Sequence, residues 1–240
     1  MKNVVEVRGL KMKFGGKTVL KDLSFEVRAG EIFGLRGSNG SGKTTTIRAL
    51  LGFYEPTAGE ALIDGKKYDP EDTSVTVGYL PEERGLYRKE SVIDMMTYFG
   101  ELKGLADPRR WSLEYLQRVG IGDKAEEKVE KLSGGQQQKV QLGITIMGEP
   151  KLLILDEPTK GFDPMNRKLL MEIIEELHQK GCAIILITHY MDEVEKLCDR
   201  ILLLKGGVAR AYGEVKEVKK EFGGKSLDEI FIEVYGGKDE

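Results

Sequence analysis

Apolar and polar positions alternate along the chain with two different periods, and each period predicts its own kind of element. In the first thirty residues the period is two, as at Leu23, Phe25 and Val27, and Gly15 and Gly16 separate two such runs. A period of two places every second side chain on the same face of a strand. This part of the chain is therefore predicted to form short antiparallel strands with one buried face.

Later in the chain the strand-length runs are mostly apolar, and helical patterns separate them. These runs cover residues 31–35, 152–155, 183–188 and 201–204. Ile173, Ile174 and Leu177 show the helical spacing between two of them. Apolar strands that alternate with helices are typical of a parallel sheet covered on both faces. The predicted fold class is therefore α/β, with a core of parallel strands.

Two helical regions lie outside this alternation. Residues 91–132 show no clear strand pattern and carry two helical repeats, so they are predicted to be a helical insertion. Near the end of the chain Leu227, Ile230 and Val234 recur on one face of a helix. Residues 216–240 are predicted to be a short C-terminal helical extension. Its amphipathic helix packs either on its own sheet or on a second subunit.

The composition narrows the class of protein. The 240 residues are 40% hydrophobic and 32% charged, and 37 Lys and Arg against 40 Asp and Glu give a net charge of −3. Such a chain can form a core but lacks the basic excess needed to bind nucleic acid by bulk charge, so no nucleic-acid partner is expected. No apolar run reaches the roughly 18 residues of a membrane span, and the first residues lack a signal-peptide pattern. Cys182 and Cys198 lie in apolar patterns and are expected to be reduced core thiols, which favours the cytoplasm.

A glycine-rich segment has the spacing of a phosphate-binding loop: Gly37 and then, after four residues, Gly42, Lys43 and Thr44. Glycines let consecutive N–H groups turn towards one anion, and the following helix directs its positive end at the same point. Lys43 can reach the outer phosphates, and the Thr44 hydroxyl can bind Mg²⁺. A chance glycine turn, the alternative, does not account for the strand before it and the helix after it. The expected nucleotide-binding residues are Gly37, Ser38, Asn39, Gly40, Ser41, Gly42, Lys43, Thr44 and Thr45.

Two acids follow the apolar run at 152–155. Asp156 would lie at the carboxyl edge of the sheet, where ligands of α/β proteins bind, and would hold Mg²⁺ directly or through a water. Glu157 points to a different side and can take a proton from an attacking water. The alternative is that both acids simply cap a strand before the turn at Pro158. The phosphate loop in the same chain favours the hydrolytic interpretation.

A Ser-Gly-Gly segment precedes these acids. Ser133, Gly134, Gly135 and Gln136 combine a hydroxyl, two glycine N–H groups and the start of a helix, which are the parts of a second anion site. Alone, the same segment would be an ordinary helix N-cap.

Together these motifs resemble those of ATP-binding-cassette (ABC) proteins, and in particular the ATP-binding subunits of ABC transporters. They occur in the family's order: an aromatic residue for adenine, the Walker A loop, the signature motif, the Walker B acids, the D-loop and the switch histidine. Besides the segments above, the matching residues are Phe14, Gly161, Phe162, Asp163 and His189. The resemblance covers residues 1–215 as one ABC ATPase domain. It implies a P-loop NTPase core of parallel strands with an N-terminal antiparallel β-subdomain and an inserted α-helical subdomain.

The resemblance also implies a mechanism, with ATP and Mg²⁺ as cofactors. Two subunits pair head to tail, and the signature motif of one closes over the ATP on the Walker A loop of the other. Glu157 would polarise the water, Lys43 and His189 would contact the γ-phosphate, and Asp163 would communicate between the two sites. The implied partners are separate transmembrane permease subunits and a second copy of the chain or a homologous ATPase subunit. The protein would then be cytoplasmic and peripheral on the inner face of the cell membrane.

Four positions depart from the family pattern. Glu82 stands where Gln is usual; it can bind Mg²⁺ but adds negative charge beside the γ-phosphate, and the alternative is that it is a surface acid. Arg36 replaces an apolar residue before the Walker A loop, and the sequence assigns it no role. Ser38 replaces a proline and restores a backbone N–H, and Phe14 replaces Tyr and keeps the stacking face.

The segments 79–87 and 188–193 resemble the exporter branch of the family, which moves drugs, antibiotics or sodium outward. The leading prediction is therefore the ATPase subunit of an exporter. One alternative is a soluble ATPase of the same superfamily in DNA repair or translation, but those relatives generally insert coiled coils or zinc modules, for which residues 43–133 show no pattern. A GTPase or small-molecule kinase would leave the signature motif at Ser133 unexplained.

Overall fold

The computed structural model describes residues 2–72, 74–83 and 85–236. They belong to two compact units: the first unit is Met1–Val75 with His178–Glu240, and the second unit is Thr76–Leu177. The first unit contains the strands β1 (Asn3–Phe14), β2 (Lys17–Arg28), β3 (Ile32–Gly37), β4 (Ala58–Ile63), β7 (Ala183–Ile187), β8 (Arg200–Lys205) and β9 (Val208–Glu214), and the helices α1 (Lys43–Leu50), α6 (Met191–Leu197), α7 (Val215–Glu221) and α8 (Leu227–Gly236). The second unit contains β5 (Val77–Leu80), β6 (Leu152–Asp156), α2 (Val92–Leu102), α3 (Pro108–Arg118), α4 (Gly134–Ile146) and, up to Leu177, α5 (Pro164–Gln179).

The N-terminal part of the first unit is an antiparallel sheet in which β1 lies between β2 and β4. Val5 pairs with Val27, and Val7 pairs with Phe25, across the β1–β2 ladder. All four side chains are buried, because they share the apolar face that the alternating pattern provides. The predicted antiparallel strands are confirmed.

The core of the first unit is a second sheet in which β3 pairs in parallel with β7 on one side and with β8 on the other. Every residue of β3 and β7 is buried, as their mostly apolar sequences predict, and the buried residues include one cation, Arg36. The edge strand β9 is antiparallel to β8. The sequence pattern did not predict β9, because Ala209, Ala211 and Gly213 are small residues with a weak strand preference.

The second unit combines a short parallel strand pair with a group of helices. β5 pairs with β6 so that Leu80 lies opposite Leu155. The helices α2 and α3 lie within the segment predicted to be helical, and both contact α4. Gly143 permits this packing, because a Cβ at that position would lie 2.4 Å from a ring carbon of Tyr115.

The tail helix α8 packs on its own unit, which is one of the two alternatives that the sequence left open. Its Leu227 and Ile230 side chains are buried, and the helix contacts α6 and β8. Cys182 and Cys198 are free and buried, in agreement with the prediction of core thiols. Within the described ranges, no helix is both long enough and apolar enough to cross a bilayer.

The turn between β8 and β9 places two neighbouring glycines in different surroundings. Both have a left-handed backbone, with φ of 57° at Gly206 and 78° at Gly207. A Cβ on Gly206 would meet nothing within 4 Å, whereas one on Gly207 would lie 2.2 Å from the carbonyl oxygen of Val19. The Gly207 N–H donates to the Ser41 carbonyl oxygen at 3.2 Å, and its own carbonyl accepts from the Lys21 N–H at 3.0 Å. Gly207 therefore joins this turn to β2 and to the glycine-rich loop.

We expect Gly207→Ala to lower the free energy of unfolding by about 2–4 kcal/mol, because it adds steric overlap to a strained backbone. The matched variant Gly206→Ala carries only the backbone strain and should lose about 1 kcal/mol. Urea unfolding of both variants measures the difference. Equal losses would show that the turn can move away from β2 at no cost.

Candidate functional site

The predicted site residues fall into two sets, one in each unit. The first unit holds Phe14, residues 37–45 and His189, and the second unit holds Glu82, residues 133–136, Asp156, Glu157 and Asp163.

The glycine-rich loop connects β3 to α1, and its glycines are required by its conformation. Gly40 and Gly42 have φ of 77° and 113°, a region that favours glycine. Gly37 has no room for a side chain, since a Cβ would lie 2.3 Å from Ser41 Oγ and 2.5 Å from the Leu204 carbonyl oxygen. The loop is thereby held against β8 in one tight conformation.

Lys43 begins α1 and turns back over this loop. Its Nζ donates to the carbonyl oxygens of Gly37 at 2.7 Å and Ser38 at 3.2 Å. The helix N-cap is Gly42, which has no side chain to occupy the first N–H groups of α1. Ser38 and Thr44 are exposed beside it. An ammonium group and a helix N-terminus at one exposed loop form a cradle for a phosphate group.

The parallel pairing of β3 and β7 brings His189 to the same edge as the loop. Phe33 lies opposite Ile185 and Gly34 opposite Leu186, so Gly37 and His189, each three residues further along its own segment, come at the same level of the sheet. His189 follows β7 by two residues and is exposed in the turn before α6. Within the first unit, the structure therefore brings the predicted phosphate loop and the predicted switch histidine together.

Phe14 lies at the end of β1 and is 41% exposed, as a residue that stacks on a base must be. Its ring meets Tyr54 edge to face, with ring centroids 5.1 Å apart. Arg48 of α1 donates to the Tyr54 hydroxyl at 3.0 Å and so fixes the second ring. Sequence reasoning missed Tyr54, because its only signal is an aromatic residue soon after the loop helix.

In the second unit, β6 delivers the two predicted acids. The strand is buried along its length, and Asp156 and Glu157 are 5% and 4% exposed. Glu157 has a φ of 53°, which is strained for a residue with a side chain and costs about 1–2 kcal/mol. Strain of this kind is typical of residues whose position serves a function. The strand β6 ends at Asp156, immediately before this residue.

Glu82 lies at the edge where the predicted acids lie. Leu80 pairs with Leu155, so the ends of β5 and β6 are side by side. The Glu82 carboxylate accepts a hydrogen bond from Lys160 Nζ at 2.6 Å. Glu82 is therefore exposed but is not a solitary surface acid.

Lys160 completes a group of charges that sequence reasoning did not assemble. The turn that follows β6 carries it, and its N–H donates to the Glu157 carbonyl oxygen at 3.1 Å. The hydrogen bond to Glu82 raises the pKa of the Lys160 ammonium. The nearby Glu157 and Asp156 carboxylates raise the pKa of Lys160 further. The Lys160 ammonium thus forms a hydrogen bond with Glu82 and lies within electrostatic reach of Asp156 and Glu157.

Ser133 is the N-cap of α4 and belongs to a capping box. Its hydroxyl accepts from the Gln136 N–H at 3.3 Å, and its own N–H donates to the Gln136 side-chain oxygen at 2.8 Å. Ser133 is exposed, and Gly134 and Gly135 are half-buried. Ser133 is therefore a helix N-cap, as the alternative interpretation of the sequence predicted, and this capped end of α4 is exposed to solvent.

Asp163 also has a local structural role. It precedes α5, and its two carboxylate oxygens accept from the Asn166 N–H at 2.9 Å and from the Asn166 side-chain amide at 2.5 Å. The backbone hydrogen bond from Asn166 is the main reason that the pKa of Asp163 is lowered. Asp163 is thus an ionised residue immediately before the first turn of α5.

The oxygen donors predicted for a metal suit Mg²⁺, which prefers carboxylates and hydroxyls to nitrogen or sulfur. Asp156 supplies a buried carboxylate at a strand end, and Glu82 supplies a second one at the neighbouring strand end. Thr44 supplies an exposed hydroxyl in the first unit.

Known proteins resemble this chain over nearly its whole length. The family model described as ABC transporter matches residues 20–160. An uncharacterized ABC transporter ATP-binding protein of Methanocaldococcus jannaschii is 45% identical over 220 residues, which cover 91% of this chain and 80% of the relative. Nod factor export ATP-binding protein I of Rhizobium sp. is 35% identical over 234 residues, covering 96% of this chain and 77% of the relative. A solved structure of the ATP-binding subunit of an ABC transporter matches with a TM-score of 0.90 at 32% identity, covering 96% of this chain and 99% of that one. This structural match confirms the predicted P-loop NTPase fold.

Proposed function

The chain belongs to the ABC transporter family as an ATP-binding subunit, an ATPase that drives transport, and we propose that the transporter it drives is an exporter. The predicted family is confirmed. The relatives favour transport over the alternative of a soluble ATPase in DNA repair or translation. One of the relatives is named as a Nod factor export protein, and this name supports the proposal that the chain serves an exporter.

We propose that the phosphate loop and His189 of the first unit bind the phosphates of ATP and that Asp156 and Glu157 of the second unit take part in its hydrolysis, because these motifs follow the family's order along the chain. The observation that carries the assignment is the pairing of β3 with β7, which puts the phosphate loop and His189 at one edge. The loop N–H groups and Lys43 would bind the phosphates. His189 would hold the γ-phosphate in line for attack, and Glu157 would accept the proton of the attacking water.

Bound Mg²⁺ would supply positive charge to the phosphate oxygens, and Thr44 and Asp156 are the residues proposed to hold it. Glu82 is proposed as an additional oxygen ligand. Phe14 would stack on the adenine through its exposed face.

We propose that the signature segment acts on ATP bound by a second subunit. Ser133 lies exposed at the N-terminus of α4, and such a helix end attracts an anion. Within one subunit this segment duplicates what the phosphate loop already provides. A head-to-tail pair would give each ATP one loop and one signature segment, and Asp163 would then link the two sites.

The variant Glu157→Gln tests this pairing. An amide cannot accept the proton of the water, so turnover should fall by at least about 100-fold while ATP still binds. The variant should then elute as a dimer in gel filtration with ATP and Mg²⁺. The control is Glu157→Gln combined with Ser133→Arg, which should bind ATP but remain a monomer. If Glu157→Gln alone stays a monomer with ATP bound, a pair formed by this subunit alone is excluded.

We propose that Lys160 offsets the charge of Glu82, the acid that replaces the family's Gln. An uncompensated carboxylate near the γ-phosphate would repel it, whereas the 2.6 Å hydrogen bond from Lys160 neutralises that charge locally. Glu82 and Lys160 would then function as one unit.

Lys160→Met should therefore raise the KM for ATP by roughly 5- to 10-fold, because Glu82 is left without its cation. Adding Glu82→Gln should return the KM to within about twofold of the parent value, since the repulsive charge is gone. Lys168→Met, which removes an exposed lysine of α5, is the matched control. A double variant no better than the single one contradicts the pairing.

We propose that the permease docks on the second unit at a groove that we call the tyrosine groove. It is a cavity of about 670 Å³ lined by Tyr87, Arg88, Lys89, Glu90, Asp94, Met95 and Tyr98. Tyr87 and Tyr98 are about half exposed, and Tyr87 stacks on Phe99 with ring centroids 5.8 Å apart. Aromatic surfaces rimmed by charges are typical of protein interfaces. Binding there would hold the subunit at the inner face of the membrane.

Tyr98→Asp should abolish co-purification of a membrane-spanning partner from detergent-solubilised native membranes, because it places a charge in the tyrosine groove. The ATPase activity of the isolated subunit should be unchanged. Leu113→Asp puts the same charge on an exposed apolar residue of α3 outside the groove and should keep the partner. Retention of the partner by Tyr98→Asp would move the docking surface elsewhere.

A further inference from the structure

Arg36 is a buried cation at the point where β3 enters the phosphate loop. It is the last residue before Gly37 and is 7% exposed. A buried guanidinium is costly unless its N–H groups and its flat faces find partners. The groups that contact the Arg36 guanidinium therefore indicate its role.

One partner is the peptide that precedes His189. Arg36 Nη1 donates to the carbonyl oxygen of Thr188, across 152 positions of sequence. A charged donor forms a stronger hydrogen bond to a carbonyl than a neutral donor does. The side chain that begins the phosphate loop is thus tied to the turn that carries His189.

The other partner is the tail helix. The Arg36 guanidinium lies over the ring of Phe231, with its central carbon 4.5 Å from the ring centroid, within the range of a cation–π interaction. The next turn of α8 brings Tyr235, whose hydroxyl donates to the Leu204 carbonyl oxygen at 3.0 Å. Burial raises the pKa of Tyr235, so the phenol remains protonated and able to donate.

The tail helix is firmly placed, so it can support Arg36. Ile230 is fully buried and Leu227 nearly so. The Leu227 N–H donates to the Glu195 side chain of α6 at 3.4 Å, and Lys219 of α7 forms an ion pair with the same carboxylate at 3.0 Å. The face of α8 that carries Phe231 is therefore fixed against the sheet that bears the phosphate loop.

The turn at His189 is held from its other side as well. The Thr188 hydroxyl donates to the buried Glu193 carboxylate at 2.7 Å and accepts from the Tyr190 N–H at 3.2 Å. The side chain of Thr188 is thus fixed by α6, and its carbonyl is fixed by Arg36. Loss of the second contact would let the peptide before His189 rotate.

We infer that Arg36 is a positioning residue for His189, and that the tail helix acts on ATP hydrolysis by holding Arg36 in place through Phe231. The inference rests on the proposed role of His189 at the γ-phosphate. Arg36 does not itself contact the reacting atoms in this proposal. Its loss should slow the chemical step and leave the binding of ATP nearly intact.

Arg36→Leu should lower kcat by roughly 10- to 100-fold and change the KM for ATP by less than about threefold, because the histidine is displaced while the phosphate loop remains. Arg36→Lys keeps a charged donor and should recover part of the lost kcat. Phe231→Leu retains the Arg36 side chain but removes the ring that holds it, so it should also lower kcat. Ile232→Ser, on the exposed face of the same helix, should match the parent protein.

The decisive measurement repeats Arg36→Leu in a His189→Ala background. If Arg36 acts through His189, kcat should fall by less than about twofold further, since the residue it positions is already gone. A further loss as large as in the parent background would overturn the inference, because it would indicate a general structural role. A rise in KM with unchanged kcat would also overturn it, by showing that Arg36 binds the nucleotide directly. If Arg36→Leu is insoluble, Phe231→Leu is compared in the same two backgrounds.

These measurements distinguish a failure of the Arg36 inference from a failure of the proposed function. Absence of hydrolysis by the parent protein would refute the proposed function, whatever Arg36 does. Normal hydrolysis by the parent and by Arg36→Leu alike would refute only the role of Arg36.

Discussion

Parallel strand pairing is the constraint on which the candidate site in each unit depends. In the first unit, the hydrogen-bonded register of β3 with β7 brings the phosphate loop and His189 to one edge. In the second unit, the register of β5 with β6 does the same for Glu82 and Asp156. Paired strands lie about 4.8 Å apart, so the ends of two parallel neighbours can contribute side chains to one small molecule.

The same tight packing that stabilises the fold restricts the residues of the site. Gly37 and Gly207 occupy positions where backbone oxygens lie too close for a Cβ. The strained φ of Glu157 is a cost of the opposite kind, because a side chain is retained where the backbone would favour glycine. In both cases the conformation needed at the candidate site costs free energy of folding. The burial of the apolar core strands offsets this cost.

Glu82 and Arg36, the two charged residues that depart from the family pattern, both contact compensating groups in the fold. Glu82 is matched by Lys160, and Arg36 is matched by the Thr188 carbonyl and the Phe231 ring. A charge that is buried or placed near phosphate is costly when isolated, so a compensating group is the expected companion. These pairs distinguish this chain from a subunit with Gln and an apolar residue at the two positions, while Gly37, Gly42, Lys43 and Thr44 of the phosphate loop keep the family's pattern.

The sequence by itself determined the buried strands β3, β6, β7 and β8, the glycine-rich loop, the acids at the end of β6 and the capped helix at Ser133. Each of these depends on residues within a few positions of one another, because backbone conformation, strand alternation and helix capping are local properties. The tertiary structure alone decided that the tail helix packs on its own unit, that Lys160 neutralises Glu82 and that Arg36 reaches Thr188. The last two contacts join residues 78 and 152 positions apart in the chain. No local pattern encodes such contacts, because strand order and helix packing determine which distant side chains meet.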